Sequence, residues 1–336
     1  MNESITTIAS PTLWAVTIGA VVVLLALDFL ATRRPHEVSM REAIAWSAFY
    51  IALPLAFGVY VWTQHGSDRG VEYYTGYLVE KTLSIDNLFV FMLLLAAFAV
   101  PKVLQQRVLL YGIVGALVLR GIFIALGTAA LSTFDWVFLV FGLVLVATGA
   151  KLLRDAMRDA DHAIDVADMR VVRLVRRIMP VTDDYEGTKL TTRVKVSSTT
   201  KRALTPFALV VIAVFATDVV FAIDSVPAVY GITGDPYLVF VANAFALLGL
   251  RALYFVLQGA LAKLVHLNYG LAAILGFIGV KLALHWAHLE WPSVPEIPTL
   301  ASLAIIIGIL AFTVTTSLIA SKRSERSERV ETPAGV

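Results

Sequence analysis

The sequence predicts an all-α, polytopic membrane protein of about nine transmembrane helices, built around an inverted repeat of two three-helix units. Three observations point there. The 336 residues are 58% hydrophobic and only 15% charged, against about 25% charged in ordinary soluble domains, and mean hydropathy is +0.79. Apolar runs recur, each near the ~20 residues that a helix needs to cross a bilayer. Acids and bases interrupt those runs in a pattern that occurs twice. Composition also excludes some chemistry: without cysteine there are no disulfides, thiolate metal sites or cysteine nucleophiles. A net charge of +2 with no basic, aromatic-rich stretch gives no reason to expect a nucleic-acid partner.

The apolar segments fall at about 12–31, 43–63, 73–99, 107–131, 134–153, 206–232, 236–258, 266–289 and 299–320. In lipid every backbone polar group must be satisfied internally, so runs of this length mean helices. No basic residue precedes the first run, so a cleavable signal peptide is not expected. With the N-terminus outside, 21 of the 27 Lys and Arg fall in inner segments, and Arg69 alone lies outside. The positive-inside rule then places the C-terminus in the cytoplasm. The expected organisation is two helices over 1–72, a first repeat over 73–153, a basic cytoplasmic loop over 154–205, a second repeat over 206–290, a last helix over 291–321, and a disordered tail over 322–336. Within the loop, Val171, Val172, Leu174, Val175 and Ile178 alternate with Arg170, Arg173, Arg176 and Arg177. That reads as a basic amphipathic helix on the membrane surface, or as a loop held inside by charge. The segment 189–196 alternates weakly, as a short strand does.

The repeat shows in residue matches. Glu80-Lys-Thr-Leu-Ser-Ile-Asp86-Asn87 parallels Asp218-Val-Val-Phe-Ala-Ile-Asp224-Ser225. Ala116-Leu-Val-Leu-Arg120 parallels Leu247-Leu-Gly-Leu-Arg251, and Gly149-Ala-Lys151-Leu152 parallels Gly279-Val-Lys281-Leu282. The offset is 138, then 131, then 130. Three spans per unit is an odd number, so the second unit enters the membrane from the opposite side. Inverted repeats of this kind place transport sites near the bilayer midplane.

Each charge at a helix centre costs ~2.5–3.5 kcal/mol on the lenient insertion scale. Glu80, Asp86, Asp218 and Asp224, with Lys81, Arg120, Arg251 and Lys281, therefore represent roughly 20 kcal/mol or more if unpaired. Such groups pair, face water or bind an ion. The bases fit the role of counter-charges to the acids. A step of six residues leaves Glu80 and Asp86 about 120° apart on an ideal helix, whereas a step of seven aligns Glu80 with Asn87 and Asp218 with Ser225. Convergence of both acids of one unit thus predicts helix breaks at 84–87 and 224–227. Pro227 cannot donate to the carbonyl of Ile223, which makes that carbonyl a further candidate ligand, along with Asn243. An all-oxygen set of this kind suits Mn2+, Mg2+ or Ca2+. His285 and His288, at the outer end of the eighth span, are either solvated or a weak exit site. Burial raises carboxylate pKa values and a bound cation lowers them, so the acids are also candidates for proton exchange.

The two acidic motifs, together with Asn243 through Arg251-Ala-Leu-Tyr-Phe255 and Pro180-Val-Thr-Asp-Asp-Tyr185, resemble the TerC (tellurium resistance) family of the lysine-exporter-like superfamily. The resemblance covers about 12–320. It implies a bacterial inner-membrane protein of a branch that exports Mn2+, with Glu80, Asp86, Asn87, Asp218, Asp224 and Ser225 as metal positions. On this reading the chain is not an enzyme. Mn2+ is cargo rather than a fixed cofactor, lipids are its surroundings, and a membrane-protein partner has a docking place at the inner loop. The alternatives are an assembly factor for other membrane proteins, a transporter of Ca2+, Mg2+ or a tellurium oxyanion, and, remotely, an intramembrane aspartyl protease using Asp86 and Asp224.

Overall fold

A computed structural model describes residues 7–31, 38–158, 169–182, 184–196, 199–258 and 265–331. The helices are α1 (Pro11–Ala31), α2 (Met40–His65), α3 (Ser67–Ala97), α4 (Lys102–Thr133), α5 (Trp136–Met157), α6 (Arg170–Ile178), α7 (Pro206–Tyr230), α8 (Pro236–Leu248), α9 (Leu250–Leu257), α10 (Leu267–Glu290) and α11 (Thr299–Glu331). Their starts are written locally. Ser39 caps α2 by accepting from the Glu42 amide, and Thr205 caps α7 by accepting from the Ala208 amide. Asp235 caps α8 in the same way through Tyr237. Each cap fills one of the donors that a helix N-terminus leaves unpaired. Pro206 and Pro236 follow as first helical residues, where the missing N–H costs nothing.

Among the described residues, seven helices are long and apolar enough to span a membrane, or eight if α8 and α9 count as one bent span. This is fewer than the nine apolar segments of the sequence. The helix that falls short is α3, whose apolar stretch is interrupted by Glu80, Lys81 and Asp86. Lipid-facing surfaces are plain on the outer helices, as at Val22 of α1 and Phe312 of α11. Arg33, Arg34 and Lys263, three of the 21 basic residues in the inner segments, lie outside the described residues.

In the interior, α3 and α4 each pack on both α7 and α8, while α5 packs along α10. The α5–α10 seam is a backbone-to-backbone contact. A Cβ at Gly142 would stand 2.7 Å from the Gly279 carbonyl, and one at Gly149 would stand 2.9 Å from the Ala272 carbonyl. As the α5 position rises by seven the α10 position falls by seven, so the two helices run antiparallel. Lipid gives apolar helices little reason to associate, and close approach through small residues supplies the dispersion that does.

Two expectations about regularity are corrected. No break occurs at 84–87 or at 224–227: α3 and α7 run unbroken through Asp86 and Asp224. Pro227 lies in the last turn of α7, so the missing donor removes one bond near an end that frays anyway. In α3, Thr82 bonds back to the Leu78 carbonyl at 2.7 Å, and no Gly or Pro occurs between Tyr77 and Ala97. The break lies instead at Gly249, where α8 and α9 meet at 44°. There a Cβ would meet Tyr50 Cβ at 2.9 Å, and Lys81 Nζ donates to the Ala246 carbonyl at 3.3 Å. A cation at the carbonyl end of a helix is favoured by both the free acceptors and the dipole. The expected disordered tail over 322–336 is helical as far as Glu331, where α11 ends, and residues 332–336 lie outside the described residues. Its Lys, Arg and Glu residues are good helix formers, and the preceding span supplies the nucleus.

The 154–205 segment contains α6 where the periodicity places it, with Val172 buried, Ile178 exposed, and the helix resting on α7. The expected strand forms as β1 (Thr191–Val196), paired antiparallel with β2 (Thr199–Leu204). The Tyr185 hydroxyl donates to the Phe98 carbonyl at 2.8 Å, tying this segment to the end of α3. Burial there pushes its pKa up to about 12.

Candidate metal centre

The unbroken helices sort the acids differently from the sequence expectation. On α3, Glu80, Ser84 and Asn87 fall on one face by the i, i+4, i+7 rule, and Asp218 and Ser225 do so on α7. All five are buried: Glu80 is 0% exposed and Asp218 is 1% exposed. Asp86 and Asp224 lie off that face and are half-buried. The two acids of one unit therefore do not meet. Glu80 meets Asp218 across the units, and Asp224 has Asp86 as an electrostatic neighbour.

Arg120 of α4, 1% exposed, stands where Glu80 and Asp218 converge. Its Nη1 pairs with Glu80 Oε1 and donates to Asn243 Oδ1 at 2.9 Å. Its Nη2 lies 3.6 Å from Asp218 Oδ1, an ion-pair separation beyond hydrogen-bond reach. With the Asn87 amide oriented to suit its neighbours, its oxygen accepts from Arg120 Nη2 at 3.1 Å and its nitrogen donates to the Leu83 carbonyl at 3.1 Å. Asn243 is fixed from the other side, its Nδ2 donating to the Val239 carbonyl at 3.0 Å. The guanidinium also feels Asp224 electrostatically.

Oxygen capacity remains unspent around it. Both carboxylate oxygens of Asp218, Glu80 Oε2 and Ser225 Oγ are buried without a hydrogen-bond partner. Buried polar atoms are nearly always paired; three of these oxygens belong to the two carboxylates that flank Arg120, with Ser225 two turns further along α7, which makes the carboxylate pair a candidate site for something that accepts lone pairs. Among the described residues, no three of His, Asp and Glu are placed to hold a metal ion by themselves. A cation here would draw on Glu80, Asp218 and the amide oxygens of Asn87 and Asn243, the groups gathered around Arg120. Ile223, whose carbonyl is the further expected ligand, lies on the outward side of α7 and is 48% exposed.

Three of the expected counter-charges lie elsewhere. Lys81 caps α8, as described above. Lys281 has Glu296 and Glu72 as its electrostatic neighbours; Glu72 in turn accepts from Thr233 at 2.7 Å and pairs with Arg69 at 2.8 Å. Arg251 is bound by an acid outside the repeat: Nε donates to Asp28 Oδ2 at 3.1 Å, Nη2 to Asp28 Oδ1 at 2.6 Å, and Nη1 to Gln106 Oε1 at 3.0 Å. Asp28 is 1% exposed. Its signal was present as a lone acid inside the first apolar run, but it has no counterpart in the second unit. Of the outer histidines, His285 pairs with Glu296, and His288 Nδ1 lies 2.6 Å from the Val294 carbonyl. Both are held by the connection between α10 and α11.

Residues 65–325 match the family model described as the integral membrane protein TerC family. An uncharacterized membrane protein of Mycobacterium tuberculosis (strain H37Rv) is 44% identical over 281 residues, covering 83% of this chain and 70% of that protein. One from Myxococcus xanthus is 41% identical over 283 residues, covering 84% and 86%. A protein of Escherichia coli K12, named as a candidate membrane-bound redox modulator, Alx, is 39% identical over 291 residues, covering 83% and 87%. No solved structure matches.

Proposed function

The chain belongs to the integral membrane protein TerC family, and on that premise we propose that it exports divalent metal cations, with Mn2+ as principal cargo, by alternating access between two inverted units. One observation carries the reading. Two equivalent motifs on α3 and α7 bring Glu80 and Asp218 to a single buried point, beside oxygens that have no hydrogen-bond partner. Carboxylate, amide and hydroxyl oxygens form a hard ligand set, suited to Mn2+, Mg2+ or Ca2+. Asp86 and Asp224, half-buried beside that point, serve as the next station or as proton carriers.

The α5–α10 seam supports the inverted arrangement. The repeat offset of 130 carries Gly149 to Gly279 and Gly142 to Ala272, so it maps the Gly149–Ala272 contact onto the Gly279–Gly142 contact. A two-fold axis in the membrane plane requires this reciprocity. The reading places the protein in the bacterial inner membrane, N-terminus outside and C-terminus in the cytoplasm.

The test is Mn2+ flux in proteoliposomes with pH set on each side. Glu80→Gln and Asp218→Asn are expected to abolish flux in protein that still inserts normally, and wild-type flux in both variants refutes the reading. Flux indifferent to the pH gradient removes proton exchange from the mechanism but leaves metal export standing.

A further inference from the structure

The oxygens assigned to the cargo are turned toward a side chain. Glu80, Asn243 and Asn87 all contact the Arg120 guanidinium, and Asp218 lies at ion-pair distance from it. We propose that Arg120 is a tethered cation competing with the transported ion for these oxygens, and that the need to displace it restricts the cargo to ions of charge two or more. The inference rests on the reading of this site as the cation path.

The charge arithmetic favours it. Glu80 and Asp218 in their ionised forms bring two negative charges, and Arg120 returns one. A divalent ion neutralises the pair, whereas a monovalent ion exchanges one positive charge for another and forfeits the fixed guanidinium bonds. Arg120 and a metal ion cannot share the seat, because like charges a few ångströms apart in a dry interior repel strongly. Geometry agrees with the arithmetic. The planar fork of donors satisfies Glu80 Oε1 and the two amides but leaves Asp218, Glu80 Oε2 and Ser225 Oγ without hydrogen bonds. A small cation with several coordination positions can take oxygens that the fork cannot reach. Return of the guanidinium then helps to expel the ion, which counters the slow release that a carboxylate pair would otherwise impose. Only one arginine plays this part. Arg251, the repeat counterpart of Arg120, is held away by Asp28 and Gln106.

Metal binding to the purified full chain tests this, with Mn2+ alone as probe and Na+ as competitor. Arg120→Gln is expected to bind Mn2+ roughly tenfold to a hundredfold more tightly, the span that loss of one charge-assisted hydrogen bond covers. It should also admit Na+ as a competitor and turn over more slowly in proteoliposomes. Arg120→Lys keeps the charge but cannot reach Glu80, Asn243 and Asn87 together, so Mn2+ binding tightens while Na+ stays excluded. This variant carries the test if Arg120→Gln does not fold. Folded variants with wild-type or weaker Mn2+ affinity overturn the tethered-cation inference and leave the cation site intact. Absence of saturable Mn2+ binding by the wild type sinks both. Asp218→Asn, expected to lose binding, ties the signal to this site.

Discussion

Replacing Asp28 with alanine isolates the energetics of a buried charge outside the Glu80–Asp218–Arg120 cluster. In the native fold the Arg251 guanidinium makes two hydrogen bonds to Asp28, at 3.1 and 2.6 Å, and one to Gln106 at 3.0 Å. The substitution removes the first two and leaves the cation in the interior with a neutral partner. Two charge-assisted bonds at about 1.5–3 kcal/mol each agree with the ~3–5 kcal/mol observed when a buried pair loses one member. Asp28→Asn keeps the shape and one acceptor, so about half that loss is expected. Removing both charges, as Asp28→Leu with Arg251→Met, takes the desolvation penalty away along with the bonds, and the double variant should be no less stable than Asp28→Ala. Unfolding in detergent of the wild type, Asp28→Leu, Arg251→Met and the double variant closes the cycle. The expected coupling is ~3 kcal/mol, well above the ~0.6 kcal/mol average for hydrogen bonds between membrane helices. Losses that add to within about 0.5 kcal/mol would refute the pair as a stabilising unit. Because Asp28 ties α1 to α9, Asp28→Ala should also speed hydrogen exchange in α1 before other helices.

Other expectations follow from single contacts. Gly142→Ala and Gly279→Ala each place a methyl group 2.7 Å from a backbone carbonyl of the facing helix, and overpacking of that kind costs about 1–3 kcal/mol; unfolding midpoints should fall for both. Gly276→Ala, one turn away with nothing within 4 Å of its Cβ, should instead be neutral or gain up to ~1 kcal/mol from helix propensity. Tyr185→Phe deletes the donor to the Phe98 carbonyl and should cost ~1 kcal/mol, read as faster hydrogen exchange around residues 98–100. Lys189, 3.1 Å from Glu186, holds that carboxyl below its ordinary range by hydrogen bond and charge. A depressed folded value means that the contact's contribution is present above the ordinary carboxylate range and is lost as pH falls through the lowered value. An NMR titration of Glu186 should show its midpoint rising in Lys189→Ala.

Element type and order were legible from composition and spacing, because a lipid-embedded backbone has few ways to satisfy itself and the apolar runs have spanning length. The caps at Ser39, Thr205 and Asp235 and the amphipathic helix Arg170–Ile178 were equally local matters. The identities of the buried acids, their repetition and their family were also in the string. What only the tertiary structure decided is which acid meets which. From spacing alone, two acids six apart call for a broken helix. With α3 and α7 intact, the same residues meet across the two units: Glu80 with Asp218 at Arg120, and Asp224 beside Asp86. The break lies at Gly249, where Tyr50 and Lys81 from other helices press on the chain, a condition that no local pattern records. Asp28 shows the same limit, since its partner lies 223 residues away. Sequence spacing fixes the angle of a residue about its own helix axis, but the partner at that angle is set by packing between helices, and in this fold packing determines the charge pairs.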